Sequence, residues 1–217
     1  MFITLEGIEG SGKSTAQRML AEHLEDKGYF VVTTREPGGS ALGRKLRAML
    51  LDSRTTQLRN RAELFLFLAD RAQHVSEVIR PALDEGHLVL CDRYADSTIS
   101  YQGYGRGMDI DQLVQVNDLA ISGLWPQLTL LFDISPQVGL ERAGRRNHED
   151  GTIISEGRFD SESLAFHTRV RAGYLERAAA EPDRFAIIDA ARPADDVFLQ
   201  CISAIEAKLQ EFGIVVD

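Results

Sequence analysis

Gly7-Ile8-Glu9-Gly10-Ser11-Gly12-Lys13-Ser14 fits the pattern G-x-x-x-x-G-K-[ST] in full, and Thr15 follows directly. The octapeptide lies between a short apolar run, residues 2–6, and an amphipathic stretch that opens at Lys13. A strand feeding a glycine-rich turn that opens a helix is the context in which this pattern means a phosphate-binding loop. Glycines let backbone N–H groups turn inward around phosphate oxygens, and the helix N-terminus adds partial positive charge at the same point. Residues 7–15 are therefore the candidate cradle for a nucleoside triphosphate, with Lys13 expected on the outer phosphates and the Ser14 hydroxyl on Mg²⁺. Glu9 stands out. A carboxylate beside a phosphate cradle repels the ligand unless a cation or a hydroxyl faces it.

Working outward, short apolar runs at 2–6, 29–33, 88–92, 128–133 and 185–189 alternate with helical patterns. That alternation predicts an α/β fold with a mostly parallel sheet, its strands covered on both faces. Helices are expected from Lys13 to about Lys27, where Gly28 can close the helix in a left-handed conformation, and over 61–85, 112–122, 136–146, 164–180 and 194–212. Pro81 is expected to kink or interrupt the end of the second of these. Residues 145–161, RRNHEDGTIISEGRFDS, break the alternation. A polar loop of this length inside a compact domain is usually functional or disordered.

The chain has 217 residues, of which 44% are hydrophobic and 26% charged, which suits one domain with a mobile insertion. The net charge of −9 argues against broad attachment to nucleic acid or an anionic membrane. No apolar run approaches a membrane-spanning length. Cys91 and Cys201 lie far apart, which suggests a reducing, cytoplasmic setting rather than a disulfide framework. The five histidines show no zinc-binding spacing, so the expected metal is magnesium arriving with ATP.

The D-x-x-G and N-K-x-D strings of a GTPase are absent, which leaves a small kinase with a site for a phosphate acceptor. Asp92-Arg93-Tyr94 ends an apolar run, and ligands of open α/β sheets bind at the carboxyl edge of the strands. Asp92 can orient Mg²⁺-bound water or take a proton, and Arg93 can bridge phosphates bidentately. Arg35-Glu36-Pro37-Gly38-Gly39 falls at the same edge. Phe67 and Arg71 are four apart on one helix, so a ring and a guanidinium share a face able to stack on a base and donate to its carbonyl.

With GIEGSGKST at 7–15, TREPGGS at 34–40, FLADR at 67–71 and DRYADSTISYQGYGRG at 92–107, the chain resembles the thymidylate kinase family over essentially its whole length. The resemblance implies a P-loop nucleoside-monophosphate kinase fold, a five-stranded parallel sheet ringed by helices, usually in a homodimer. It implies phosphorylation of dTMP to dTDP by Mg-ATP, a step toward dTTP. By the same resemblance Glu9 meets the deoxyribose 3′-hydroxyl, and Arg35 and Arg93 hold the dTMP phosphate. Phe67 stacks on thymine, Arg71 donates to its carbonyl, and Thr98 and Gln102 meet the base edge. Tyr101 crowds the sugar 2′ position, and Ser97 is a supporting polar group. Lys13, Asp92 and Arg93 are the expected catalytic residues, and Ser14 and Asp92 the expected metal ligands. Some family members place a catalytic arginine directly after the acidic residue of the loop; here that position is Gly10. The chain therefore resembles the bacterial type with its arginine on a lid, about 143–161. Arg142, Arg145, Arg146 and Arg158 are available, and Arg158 is the expected one.

Overall fold

A computed structural model of the chain describes residues 1–55, 57–152 and 157–214. Five parallel strands, β1 (Phe2–Glu6), β2 (Val31–Arg35), β3 (Leu88–Asp92), β4 (Leu128–Asp133) and β5 (Phe185–Asp189), form one sheet in the order β2-β3-β1-β4-β5. The central strand β1 is buried throughout and pairs with β3 through Leu5↔Asp92 and with β4 through Glu6↔Leu131. The carboxyl ends of β1 and β3 therefore lie side by side where the strand order departs from chain order, and this is where the phosphate loop begins.

Helices cover both faces: α1 (Lys13–Asp26), α2 (Ala41–Leu51), α3 (Asn60–His74), α4 (Arg80–Asp84), α5 (Ala95–Thr98), α6 (Ile110–Ile121), α7 (Pro136–Glu149), α8 (Leu164–Ala180) and α9 (Ala194–Glu211). The main core joins β1, β4 and β5 to α1, α8 and α9 through residues such as Leu5, Leu20, Leu130, Phe132, Tyr174 and Ile205.

Three differences from the expected elements have local causes. Strand β2 begins two residues late because the Tyr29 N–H bonds back to Leu24 O (3.0 Å), closing α1 around Gly28 at φ 92°. The helix expected over 61–85 is real but changes winding. Residues Val75–Ile79 form a π-helical turn just before Pro81, and this absorbs the proline, which has no N–H to donate. Part of the stretch expected as loop is helical, since α7 runs on to Glu149 through residues with no glycine or proline until Gly151. The apolar pair expected inside that loop, Ile153-Ile154, lies outside the described residues.

Candidate active site

The phosphate loop turns immediately after β1. Gly7 adopts φ 139°, and a Cβ there would lie 2.5 Å from the Phe132 carbonyl oxygen, so no side chain fits. Gly12, in the left-handed region, leads into α1. The Lys13 ammonium donates to Gly7 O (3.1 Å), Ile8 O (2.9 Å) and Ser11 Oγ (3.1 Å). Burial, then the nearby Arg93, push its pKa down to about 8. The Ser14 hydroxyl donates to Asp92 Oδ2 at 2.8 Å, joining the start of α1 to the end of β3. A hydroxyl and a carboxylate this close are hard oxygen donors of the kind that suit Mg²⁺ beside a triphosphate.

Glu9 is not a solvated loop acid. Its Oε1 accepts from Arg93 Nη2 (3.0 Å) and from the Tyr101 hydroxyl (2.6 Å), and Oε2 lies 3.2 Å from His167 Nδ1. Burial alone would raise the Glu9 carboxyl, but Arg93, His167 and Tyr101 hold it well below the usual carboxylate range. Arg93 has φ 70°, with its N–H bonded to Leu5 O (3.0 Å). That left-handed turn aims its guanidinium back across the phosphate loop, 5.0 Å from the Tyr101 ring centroid, with Nη1 reaching Ser97 Oγ (3.3 Å) and Tyr174 Oη (3.4 Å). Beneath them Glu6 accepts from the Tyr94 N–H and from the Ser97 and Tyr174 hydroxyls; burial, then Asp96, raise it to about 7.

From this knot a cavity of about 480 Å³ runs in one direction to the phosphate loop and in the other to a pocket floored by α3. Phe67 and Phe159 line that pocket with ring centroids 6.1 Å apart, and Tyr101 meets Phe159 edge-on at 5.5 Å. Arg71 is 1% exposed. Its Nε donates to Glu36 Oε2 (2.7 Å), Nη1 to Thr98 Oγ1 (2.8 Å) and Asn117 Oδ1 (2.5 Å), and Nη2 to the Tyr94 carbonyl (2.9 Å). A guanidinium has five N–H donors, so four are committed to holding it and one remains on Nη2. His74 braces the same carboxylate, with Nδ1 2.9 Å from Glu36 Oε1. Gln102, buried at the cavity wall, donates to Glu63 Oε1 at 2.7 Å.

The fourth wall comes from α7, and glycine decides how close it sits. A Cβ on Gly10 (φ 67°) would stand 2.0 Å from Gly139 O, and one on Gly139 would stand 2.6 Å from Glu9 O. The loop and the helix meet backbone to backbone, so an arginine at position 10 has no room here. Arg142 and Arg146, three and seven residues beyond Gly139, lie on the same helical face and line the cavity. Arg142 Nη1 donates to Ala190 O (3.1 Å), and Arg146 lies 3.9 Å from Asp160.

Of the expected site residues, the structure gathers Glu9–Thr15, Arg35, Phe67, Arg71, Asp92, Arg93, Ser97, Thr98, Tyr101 and Gln102 around this one cavity. Gly7 and Ile8 shape the loop from behind it. Arg158, the expected lid arginine, is placed elsewhere: its Nη1 donates to Leu50 O (2.9 Å) and its Nη2 pairs with Glu63. Neither Arg158 nor Arg145 lines the cavity; the Arg158 N–H bonds to Leu51 O (3.1 Å) at the end of α2, while the neighbouring Phe159 and Asp160 do line it. Sequence reading missed Glu36, Arg47, Asp150, Phe159 and Asp160 on the cavity wall. It also missed the buried supports Glu63, Asn117 and His167. Phe159 had a signal, as the apolar residue after Arg158 in an otherwise polar stretch.

The thymidylate kinase family model matches residues 5–200. The chain is 63% identical to a thymidylate kinase of Desulfovibrio desulfuricans over 217 residues, which is all of both chains. It is 56% identical to one of Solidesulfovibrio magneticus over 209 residues, covering 96% of this chain and 100% of that one. The crystal structure of thymidylate kinase from Ehrlichia chaffeensis superposes with a TM-score of 0.75 at 35% identity, covering 94% of this chain and 98% of that one. A P-loop continuous with an acidic–basic knot and an aromatic pocket, on this sheet and with these relatives, leaves one assignment: the chain belongs to the thymidylate kinase family.

Proposed function

We propose that the two ends of the cavity hold the two substrates of one reaction. ATP lies on the phosphate loop and dTMP on the α3 pocket, with the Glu9–Arg93 pair between them, and the protein phosphorylates dTMP to dTDP. The observation that carries this reading is the continuity of the cavity. A nucleotide with its base against Phe67 and its sugar at Glu9 brings its phosphate to Arg93, facing the loop that cradles the donor. Phosphoryl transfer needs positioning and charge neutralisation more than covalent help. Lys13, Arg35 and Arg93 supply cationic groups on the loop and acceptor sides. Arg142 and Arg146, rather than Arg158, are the side chains we assign to the moving phosphoryl, because they line the cavity beside the loop. Ser14 and Asp92 would hold Mg²⁺, which when bound screens the phosphate charges. Arg71 offers its remaining N–H to a base carbonyl, and Tyr101, held by Glu9, stands where a ribose 2′-hydroxyl would crowd it.

The described residues of the lid stretch, 143–152 and 157–161, act in this reading to exclude water from the transfer. A homodimer is supported by neighbouring helices that leave Phe65 of α3 63% exposed and Leu119 of α6 81% exposed. Sedimentation of the purified chain tests it. Among the described residues no helix is long and apolar enough to cross a membrane, and both cysteines are free and buried, which supports a cytoplasmic setting.

The deciding experiment is ADP release from Mg-ATP with no acceptor and with dTMP, dUMP, dCMP, dGMP or thymidine. Turnover fastest with dTMP and near background without acceptor is expected. ATP hydrolysis independent of acceptor would overturn the reading.

A further inference from the structure

Behind the base-facing wall of the cavity, bonded to Gln102 of that wall, lies a buried carboxylate that the transfer reaction does not use. Glu63, 1% exposed on α3, accepts from Gln102 Nε2 (2.7 Å), from Arg106 Nε and Nη2 (each 3.3 Å), and from Arg158 Nη2. Arg106 is itself tied to Glu162, and Arg158 to Leu50 O, so the cations around Glu63 are fixed in turn. Burial alone would raise the Glu63 carboxyl, but the Gln102 amide and the two guanidiniums bring it below its ordinary value, so it stays ionised. An ionised carboxylate only accepts hydrogen bonds. Whichever way an amide is first drawn, the nitrogen of Gln102 must therefore be the atom that faces Glu63. Its carbonyl oxygen is the atom left for the cavity that Gln102 lines.

We propose that Glu63 is a specificity-positioning residue: by capturing the Gln102 nitrogen it leaves an acceptor toward the substrate base, selecting pyrimidines that carry a hydrogen on N3 over those whose N3 is itself an acceptor. Thymine and uracil belong to the first class and cytosine to the second. With cytosine, two lone pairs would face each other in a buried site with no donor between them. This assigns Arg158 and Arg106 a role as well. They keep Glu63 charged and so keep the amide from turning over. The inference rests on the placement of the acceptor base against Gln102 given above.

The test compares dTMP with 5-methyl-dCMP, which has the same sugar, phosphate and 5-methyl group and differs only at the N3–C4 edge. The ratio of their kcat/KM values is measured in the wild type, in Glu63→Gln and in Glu63→Asp. The first neutralises the acceptor without changing its shape. The second keeps the charge for the two arginines but withdraws it from Gln102. Because both substrates are read on one preparation, a partly unfolded variant lowers both values and leaves the ratio interpretable. The ratio should fall about tenfold or more in whichever variant is soluble, the order expected from one mismatched buried hydrogen bond, with the KM for ATP unchanged. Gln102→Leu, which abolishes the acceptor itself, separates the two layers of the argument. If it collapses the ratio while both Glu63 variants retain it, the positioning role is overturned and the base placement stands. If it too leaves the ratio intact, the base does not meet Gln102 and both fall.

Discussion

Replacing Gly139 with alanine sets two effects against each other. Gly139 lies within α7 at an ordinary helical conformation, where alanine in place of glycine favours the helix by about 1 kcal/mol. The new methyl, however, would stand 2.6 Å from the Glu9 carbonyl oxygen, about 0.8 Å short of ordinary contact, and its opponent is backbone. The phosphate loop is fixed by β1 and α1, so the helix must retreat by most of that distance, carrying Arg142 and Arg146 with it. Misplacing a catalytic group by about 1 Å can cost on the order of a hundredfold in rate. Gly139→Ala should therefore lower kcat about 30- to 100-fold while the KM for dTMP, whose pocket is built on other elements, changes little. The melting temperature should stay close to that of the wild type, since the propensity gain offsets much of the strain. Steady-state ADP release with each nucleotide varied, alongside thermal melting by circular dichroism, reads all three quantities. Gly144→Ala is the control, because a Cβ there meets nothing within 4 Å, and it should preserve kcat. A normal kcat in Gly139→Ala, with the fold intact, would refute the idea that this close approach sets the arginines.

Three further outcomes are expected. Arg142→Ala and Arg146→Ala should each reduce kcat by about a hundredfold or more, whereas Arg158→Ala should act chiefly on the KM for dTMP through Glu63; the reverse pattern in steady-state kinetics would return the catalytic role to Arg158. Phe67→Ala should weaken dTMP by about 1–3 kcal/mol, the scale of a base–aromatic stack, and leave ATP nearly untouched; equal losses for both nucleotides in binding calorimetry would remove Phe67 from the base site. Glu6 is raised to about 7 by burial and then by Asp96, against an unfolded value of 4.5, so the native state binds the extra proton between those values. Its contribution to stability is full below pH 4.5 and is lost as pH rises through about 7. Urea melts should show the wild type losing stability relative to Glu6→Gln over that window, by an amount on the order of a few kcal/mol; parallel curves would contradict the assignment.

The sequence disclosed the phosphate loop, the strand pattern and most of the cavity because each rests on local chemistry. A glycine spacing, an alternation of apolar runs, or an acid–base pair at a strand end can be read without knowing what lies opposite. Side-chain partners brought together by folding were illegible. Glu63 looks like any helical acid until Gln102, Arg106 and Arg158 converge on it from two other segments. Asn117 looks like a surface amide until it receives Arg71. Helix α2 was missed although Ser40 was in place to cap it and Leu42, Leu46, Met49 and Leu50 recur at helical spacing; in the fold only Gly43 and Leu50 of its residues are buried. The choice among four arginines turns on a related point: proximity to a loop in sequence says nothing about facing, and of the four only Arg142 and Arg146 line the cavity. The spacing of Gly139, Arg142 and Arg146 puts the three on one helical face, but that face is tied to the phosphate loop only through the contact of Gly10 with Gly139.

Arg93 carries a cost of about 1–2 kcal/mol for a left-handed backbone under a full side chain, and it answers a buried anion that the phosphate loop would be more comfortable without. Substituting glycine at 93 together with glutamine at position 9 would relax both demands at once, at the loss of the Arg93 contacts to Ser97, Tyr174 and the Tyr101 ring. Thermal robustness and turnover therefore pull in opposite directions at this corner. Any screen of variants that rewards only survival of heating will drift toward a sturdier protein that has forgotten its chemistry.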